Sequence, residues 1–585
     1  MKTKVLTWMQ ESKILHYIVI LIISLLLFWP LLSTNIVSGD DGYLHLARVI
    51  GVDKIIQEGS HFPPMISSLF CEGFGYAINL FYPPLVTFVP LLIKMLVNSY
   101  TLGLKLFTLI TIFLSGIAMY AFTQKVTKNR LTALISAVLY ITAPYHLTDI
   151  YTRFAIGEFV AFMFIPLVFL GLYNLLEEDG KKHYYISIGA IGLVLTHSIT
   201  LFYTAIFSVI YLLFYLPKSK EKQVLLKCFG NAGIILAVTA FFTIPIVENM
   251  LACDYVIFDT KYMLTNVDWV YQHAIEPSQL FITPEEEELN LTIGIPLLIS
   301  NLLIFFTYSK MEEKDKKTVL VFILFGTISV LMCTKFFFWR ILPNLFANIQ
   351  YPWRMLGFAS FFLGVVGAIN IQVFISYIFH KDAKTITIFS YLILAMMTLA
   401  VLPMANSYRS ENLEADNSLV DSILQNETTN VHNINREYLP VKTYQDGCKY
   451  IDERPNEISI VLQGNVKKIE EKKENLTYTL TFEKDPKITF LELPYLYYLG
   501  YRIEYRGDTG KTEIIPYTES EHGFIQIELP KEMTKGSIQV TFEGTLLTKV
   551  AYGISAISLL GFIIWIIHTK LAEKEKKSNN IIVDE

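Results

Sequence analysis

Long apolar runs broken by short charged segments dominate the chain. Twelve of them predict membrane-spanning helices: Ile14–Leu32, Leu102–Thr123, Leu131–Pro144, Glu158–Leu176, Tyr184–His197, Ile199–Leu216, Cys228–Met250, Ile293–Tyr308, Thr318–Thr334, Arg354–Phe379, Thr385–Met404 and Thr548–His568. Leu85–Asn98 is also apolar, but it is short and follows Pro83-Pro84, so it predicts a helix lying at the membrane interface. Charge supports that assignment. With Leu85–Asn98 left out, five short loops carry 15 Lys/Arg, among them Lys125, Lys128, Arg130, Lys218 and Lys220, against 7 in the longer intervening loops. That excess marks the short loops as cytoplasmic and places both termini inside at the plasma membrane. Cysteines introduced at Ser219 and Lys384 are therefore expected to resist an impermeant thiol reagent in intact cells, and one at Asn456 to label. Labelling at Ser219 without lysis would overturn this topology.

One long polar block, residues 405–547, separates the last two spans and is expected outside. Its later part alternates with period two in Glu457–Leu462, Leu476–Phe482, Phe524–Leu529 and Ser537–Phe542, with turn residues between. Short strands of this kind predict a β-sandwich-like domain, β-rich from about residue 456. Asn406–Asn435 reads as loop or helix. The expected organisation is a transmembrane domain over 1–404, this extracytoplasmic domain over 405–547, a last helix over 548–568 and a cytoplasmic tail over 569–585.

Composition agrees: 53% hydrophobic residues, 17% charged and a mean hydropathy of +0.43 exclude an ordinary soluble enzyme. With a net charge of −5 and no basic stripe, nucleic acid is not an expected partner. The five cysteines show no metal-binding spacing. Lys2, Lys4 and Lys13 precede the first run without a small-residue cleavage site, the pattern of an uncleaved signal anchor.

Candidate chemistry gathers in the loops expected outside. Asp40 and Asp41 open the run DDGYLHLAR just past the first span. Asp41 and His45 are four apart, so on a helix they share a face and could pair as a base or as half of a metal site. The plainer alternative is that Ser38, Asp40 or Asp41 caps the following helix. Glu158, with Arg153 five residues earlier in YTRFAIGEF, opens the fourth span as a second acid or as a helix-dipole carboxylate. His197 in LTHSITLFY is a catalytic or interfacial histidine. Arg354 in IQYPWRML either binds phosphate or reaches toward lipid headgroups. Tyr82 in GYAINLFYPPL lines either a lipid groove or ordinary packing. Glu285–Glu288 reads as a solvated charged face.

Together, an anchor span, an acidic motif in the first outer loop, a lipid-facing helix entered through YPPL and a basic cytoplasmic turn resemble the GT-C membrane glycosyltransferases. More narrowly, DDGYLHLAR, GYAINLFYPPL, YTRFAIGEF, LTHS and IQYPWRML, with REYLP, LPYLYYLGYRIEYRG and FEGT, resemble the YfhO-like bacterial membrane proteins. Some of these are labelled 6-pyruvoyl-tetrahydropterin synthase-related, although no zinc–histidine cluster in this sequence suggests pterin chemistry. The resemblance implies a GT-C-like helical fold and transfer of a sugar from a polyprenyl-phosphate donor to an extracytoplasmic acceptor such as a cell-wall or teichoic-acid-type glycan. Asp41, Asp40 and Glu158 are the expected catalytic carboxylates, and His45, Arg153, His197, Arg354 and Tyr82 the expected substrate-binding groups. If a divalent cation (Mg or Mn) takes part, Asp40, Asp41 and His45 are its candidate ligands. A flippase of lipid-linked glycans and a non-catalytic envelope-assembly factor are the alternative functions.

Overall fold

The computed structural model describes residues 2–32, 36–37, 39–59, 64–177, 181–216, 221–259, 266–284, 289–380, 382–411, 413–414, 420, 423, 436–445, 447–507 and 512–583. Glu285–Glu288, Ser38 and most of Asn406–Asn435 lie outside the described residues. Eight helices are long and apolar enough to cross a membrane: Lys13–Leu32, Tyr100–Thr127, Ile156–Leu176, Ser198–Tyr215, Glu313–Cys333, Pro352–Ile378, Ala383–Ala405 and Leu546–Ala572. Each overlaps a predicted span.

The remaining four predicted spans differ. The third is a pair, Arg130–Ile141 and Pro144–Tyr151, bent by 44°. A proline at the first position of the second helix restarts the chain in a new direction. The seventh is Glu221–Val238 followed by Ala240–Ala252, bent by 76°. Here Thr239 sits at the break and returns its hydroxyl to the Ile235 carbonyl at 2.8 Å, the back-bonding that bends helices. The fifth and eighth are the short apolar helices Tyr184–Val194 and Ile295–Lys310. At 1.5 Å per residue, the 11-residue Tyr184–Val194 rises only about 16 Å, well short of a ~30 Å core. Among the described residues the count is thus eight, or ten with each bent pair taken as one span.

The Met355–Ile378 helix runs through the centre of the bundle, buried on nearly every side. Phe361 and Phe362 pack against Phe322 at 6.0 and 5.3 Å between centroids, and Phe169 joins them at 5.1 and 5.4 Å. Buried Asn370 on the same helix accepts from Thr307 at 2.8 Å and donates to the Ser300 carbonyl at 3.0 Å, a polar tie between helices.

At one end of the bundle the first long loop folds into the Gly42–Gln57 helix, the short helix Ile78–Phe81 and the amphipathic helix Leu85–Val97. Asp53 ties the Gly42–Gln57 helix to the Leu85–Val97 helix and to the start of the Tyr100–Thr127 helix. Its carboxylate accepts from Lys94 and Tyr100, both at 2.5 Å, and from Gln57 at 3.0 Å.

The predicted β domain forms two antiparallel sheets from nine strands: β1 (Ile460–Gln463), β2 (Val466–Glu474), β3 (Thr477–Lys484), β4 (Thr489–Leu496), β5 (Tyr501–Gly507), β6 (Thr512–Ile514), β7 (Tyr517–Glu519), β8 (Phe524–Leu529) and β9 (Lys535–Phe542). Strand order is β1-β4-β8-β7 in one sheet and β2-β3-β9-β5-β6 in the other. Alternate residues such as Tyr478, Leu480 and Phe482 of β3 are buried between them, as the period-two pattern requires. The domain is bolted to the first long loop. Leu496 donates to the Phe74 carbonyl at 3.0 Å, and the Tyr76 hydroxyl accepts from the Tyr438 backbone at 3.0 Å. Nearby, fully buried Glu492 accepts from Arg454 at 3.1 Å, Ser520 at 2.6 Å and Tyr450 at 2.8 Å, and the Arg454 guanidinium lies 5.4 Å from the Phe74 ring.

Candidate active site

Two loop segments 110 residues apart in sequence meet backbone to backbone. The Asp41 amide donates to the Arg153 carbonyl at 2.9 Å. Gly39, at φ +45°, sits so close that a Cβ there would stand 2.7 Å from the Thr152 carbonyl oxygen, so the turn into the aspartates needs a glycine. On the other side, Phe154 holds φ +48°, a strained conformation for an aromatic residue immediately after Arg153.

Below this junction lies a buried charge cluster. Arg153 donates to Asp149 at 2.7 Å and to Glu158 at 2.9 Å, and its Nη1 stands 3.2 Å from the Tyr145 hydroxyl. Tyr145 in turn donates to Glu158 at 2.5 Å. Arg354 Nε lies 3.3 Å from Glu158, while its Nη1 donates to the Ile349 carbonyl at 2.9 Å and to Gln350 at 2.7 Å. Glu158 is therefore held between two guanidiniums, hydrogen-bonded to Arg153 and ion-paired with Arg354, more than a helix-dipole carboxylate. Arg354 is tied into the protein, and the snorkelling alternative fails. His197, whose Nδ1 is 2.7 Å from the Thr200 hydroxyl, lies within electrostatic range of Glu158, Arg153 and Arg354. Gly157 lets the two segments close: a Cβ there would stand 2.8 Å from the Thr196 carbonyl oxygen.

Asp41 occupies the N-cap position of the Gly42–Gln57 helix, but its side chain makes no capping bond. The carboxylate is left for another task. Solvent reaches it, yet protein crowds it, and burial raises it to about 6. Arg153 and Arg354 oppose that rise, while Asp40 and Glu158 add to it. Glu437 faces it from the tail segment and is raised too, first by burial and then by the Asp41 charge. Asp40 is exposed.

The structure does not pair the His45 ring with Asp41. Its backbone N–H makes the ordinary helical bond to the Asp41 carbonyl at 3.1 Å, but its ring points toward Tyr82 and Phe154, with centroids 5.7 and 6.4 Å away. Among the described residues the charge that acts on it is that of Arg48. The reason Asp41 is not its partner is geometric: at an N-cap the backbone is not yet helical, so the i, i+4 face rule fails for that pair. Asp40, Asp41 and His45 are not drawn together into one set, and among the described residues no group of three or more His, Cys, Asp or Glu side chains could hold a metal ion.

Tyr82 is brought into the site, within range of Asp41, Arg354 and Glu437. Beside Arg354, Trp353 borders a cavity of about 460 Å³ that is also lined by Gln272, His273, Glu276, Gln279 and Lys335. Sequence reasoning missed Tyr145, Asp149, Glu437 and Arg48. Of these, Arg48 lay in the quoted run DDGYLHLAR and Glu437 in REYLP.

Residues 80–406, more than half of the chain, match the family described as 6-pyruvoyl-tetrahydropterin synthase-related domain, membrane protein. The chain belongs to this family of membrane proteins. An uncharacterized protein of Lactococcus lactis subsp. cremoris (strain MG1363) is 26% identical over 348 residues, covering 55% of this chain and 54% of that relative. The chain thus matches about half the length of this curated relative. Among solved structures, the arabinofuranosyltransferase AftD from mycobacteria is similar at a TM-score of 0.43 and 13% identity, over 67% of this chain and 27% of that one. The oligosaccharyltransferase of Archaeoglobus fulgidus gives 0.40 and 14%, over 69% and 54%.

Proposed function

We propose that this family member is a glycosyltransferase that moves a sugar from a polyprenyl-phosphate donor to an acceptor outside the cytoplasm, with Asp41 as general base. One observation carries the reading: a solvent-reached carboxylate, free of capping duty, anchored through its own backbone to the Arg153 loop and raised to about 6. An acceptor hydroxyl is a weak nucleophile, and a base matched to near-neutral pH is suited to take its proton. As the acceptor oxygen bonds to the anomeric carbon, its proton passes to Asp41. The bond from that carbon to the phosphate oxygen breaks, and its electron pair leaves with polyprenyl monophosphate. Attack opposite the leaving group inverts the anomeric centre.

In this reading Glu158, Arg153 and Asp149 act as the scaffold that holds the Asp41 turn, and Arg354 ties that scaffold to the cavity at Trp353. Side-chain amides and an indole suit a glycan acceptor, which offers hydroxyls and apolar ring faces. A cell-wall or teichoic-acid-type glycan is the proposed class. The test presents purified protein in lipid nanodiscs with a panel of polyprenyl-phosphate sugars. Donor consumption with stoichiometric release of polyprenyl phosphate is expected, and no consumption with any donor and a mixed glycan acceptor would refute the reading.

A further inference from the structure

On the Gly42–Gln57 helix, Arg48 is fully buried, and among the described residues no carboxylate acts on it. Its Nη2 donates to the Pro83 carbonyl at 3.3 Å, and its guanidinium carbon lies 4.0 Å from the centre of the Tyr82 ring. Nε and Nη1 have no partner among the described residues, and neither ring nitrogen of buried His45, one turn back, has one. Burial lowers Arg48 to about 10, and among the described residues the hydroxyls of Tyr82 and Tyr438 act against that. Buried arginines are ordinarily paired with a carboxylate, because an unpaired charge in a protein interior is costly. Arg153 and Arg454 in this same chain obey that rule.

We propose that Arg48, with His45 beside it, is a binding site for a phosphate group, and that the group is borne by a polyprenyl lipid. Phosphate suits these donors: a guanidinium offers adjacent N–H groups to two phosphate oxygens, and the neutral imidazole can donate one more hydrogen bond. The surroundings favour a lipid-borne phosphate over a free one. Pro84, next to the carbonyl that Arg48 holds, lines a narrow cleft walled by Met65, Leu80, Phe88, Phe241 and Phe242. The adjoining Leu85–Val97 helix turns Leu92, Met95 and Leu96 outward, an apolar approach for an isoprenoid chain.

The inference rests on the transferase reading for its occupant. Asp41 and Arg48 are seven residues apart, about 10 Å along the helix, and Tyr82 is within electrostatic range of both. The base and the leaving phosphate would then sit at opposite ends of the reacting sugar.

The test measures equilibrium binding of a polyprenyl monophosphate to the full-length protein in nanodiscs, with inorganic phosphate and phosphatidylglycerol as separate arms. Arg48→Met is expected to lower affinity for the polyprenyl phosphate at least tenfold, with Arg48→Lys between it and the parent. Because the variant removes an uncompensated charge, the lipid-free midpoint of thermal unfolding should not fall, which separates a ligand site from a structural arginine. Unchanged affinity in Arg48→Met, or a loss of lipid-free stability with affinity retained in Arg48→Lys and His45→Gln, would overturn the site. Equal binding of inorganic phosphate or phosphatidylglycerol would overturn the polyprenyl occupant. Arg48-dependent binding with no turnover of any donor would sink the transferase reading and leave this site standing.

Discussion

Asp41→Asn is expected to lower turnover by at least ~10²-fold while the protein still inserts and binds donor, because the amide keeps the shape of the carboxylate but cannot accept the acceptor's proton. Asp40 is exposed, and Asp40→Asn is expected to cost less than about tenfold. The pH profile is the sharper measurement. A base held at about 6 should give kcat/KM an acid limb near that value, with activity falling as pH drops through it. Stability runs the other way for this group. Since its carboxyl is raised in the fold, its contribution is full below the ordinary Asp range and is lost as pH climbs through about 6. At pH 7.5 the Asn variant should therefore be no less stable than the parent. An active Asp41→Asn enzyme with the same acid limb would remove Asp41 as the base.

Glu158→Gln is expected to act through the scaffold. Glu158 shares its carboxylate between Arg153 at 2.9 Å and Arg354 at 3.3 Å, and all three side chains are largely buried. Removing one partner from such a pair typically costs about 3–5 kcal/mol, since the remaining charge keeps its burial cost and loses its compensation. The loss should appear as a lower unfolding midpoint together with lost activity, because the Arg153 carbonyl also holds the Asp41 turn. Normal stability with lost activity would instead give Glu158 a direct chemical role. A silent variant would show that the cluster does not support the site.

Much of this architecture is legible in the pattern of apolar positions. The eight long helices and all four predicted strand regions overlap observed elements, because burial between helices and between sheets leaves its own period in the sequence. Helix bends are less visible. The 76° break at Thr239 carries no proline or glycine at the turn itself; Pro245 comes six residues later. The meeting of Asp41 with the Glu158 region was reachable from topology, which puts both at the same end of the bundle. Asp149 was not, because a carboxylate inside a short helix gives no sign of which arginine it will find. Arg48 in DDGYLHLAR has the spacing of any surface basic residue, and only tertiary packing shows that it is buried against the Tyr82 ring.

Glu437 is nearly 400 residues from Asp41, and it arrives through the short REY turn that the Tyr76 hydroxyl holds by the Tyr438 backbone. Before that turn docks, Asp41 lacks one of the walls whose burial lifts it above an ordinary carboxylate. The acidic loop can form early in synthesis, but its basicity would mature only after the distal part of the chain has been made and seated. A molecule caught midway through assembly would then carry every residue of the acidic loop and still hold Asp41 as an ordinary, weakly basic carboxylate, so that under the proposed function the order of folding itself would delay activity.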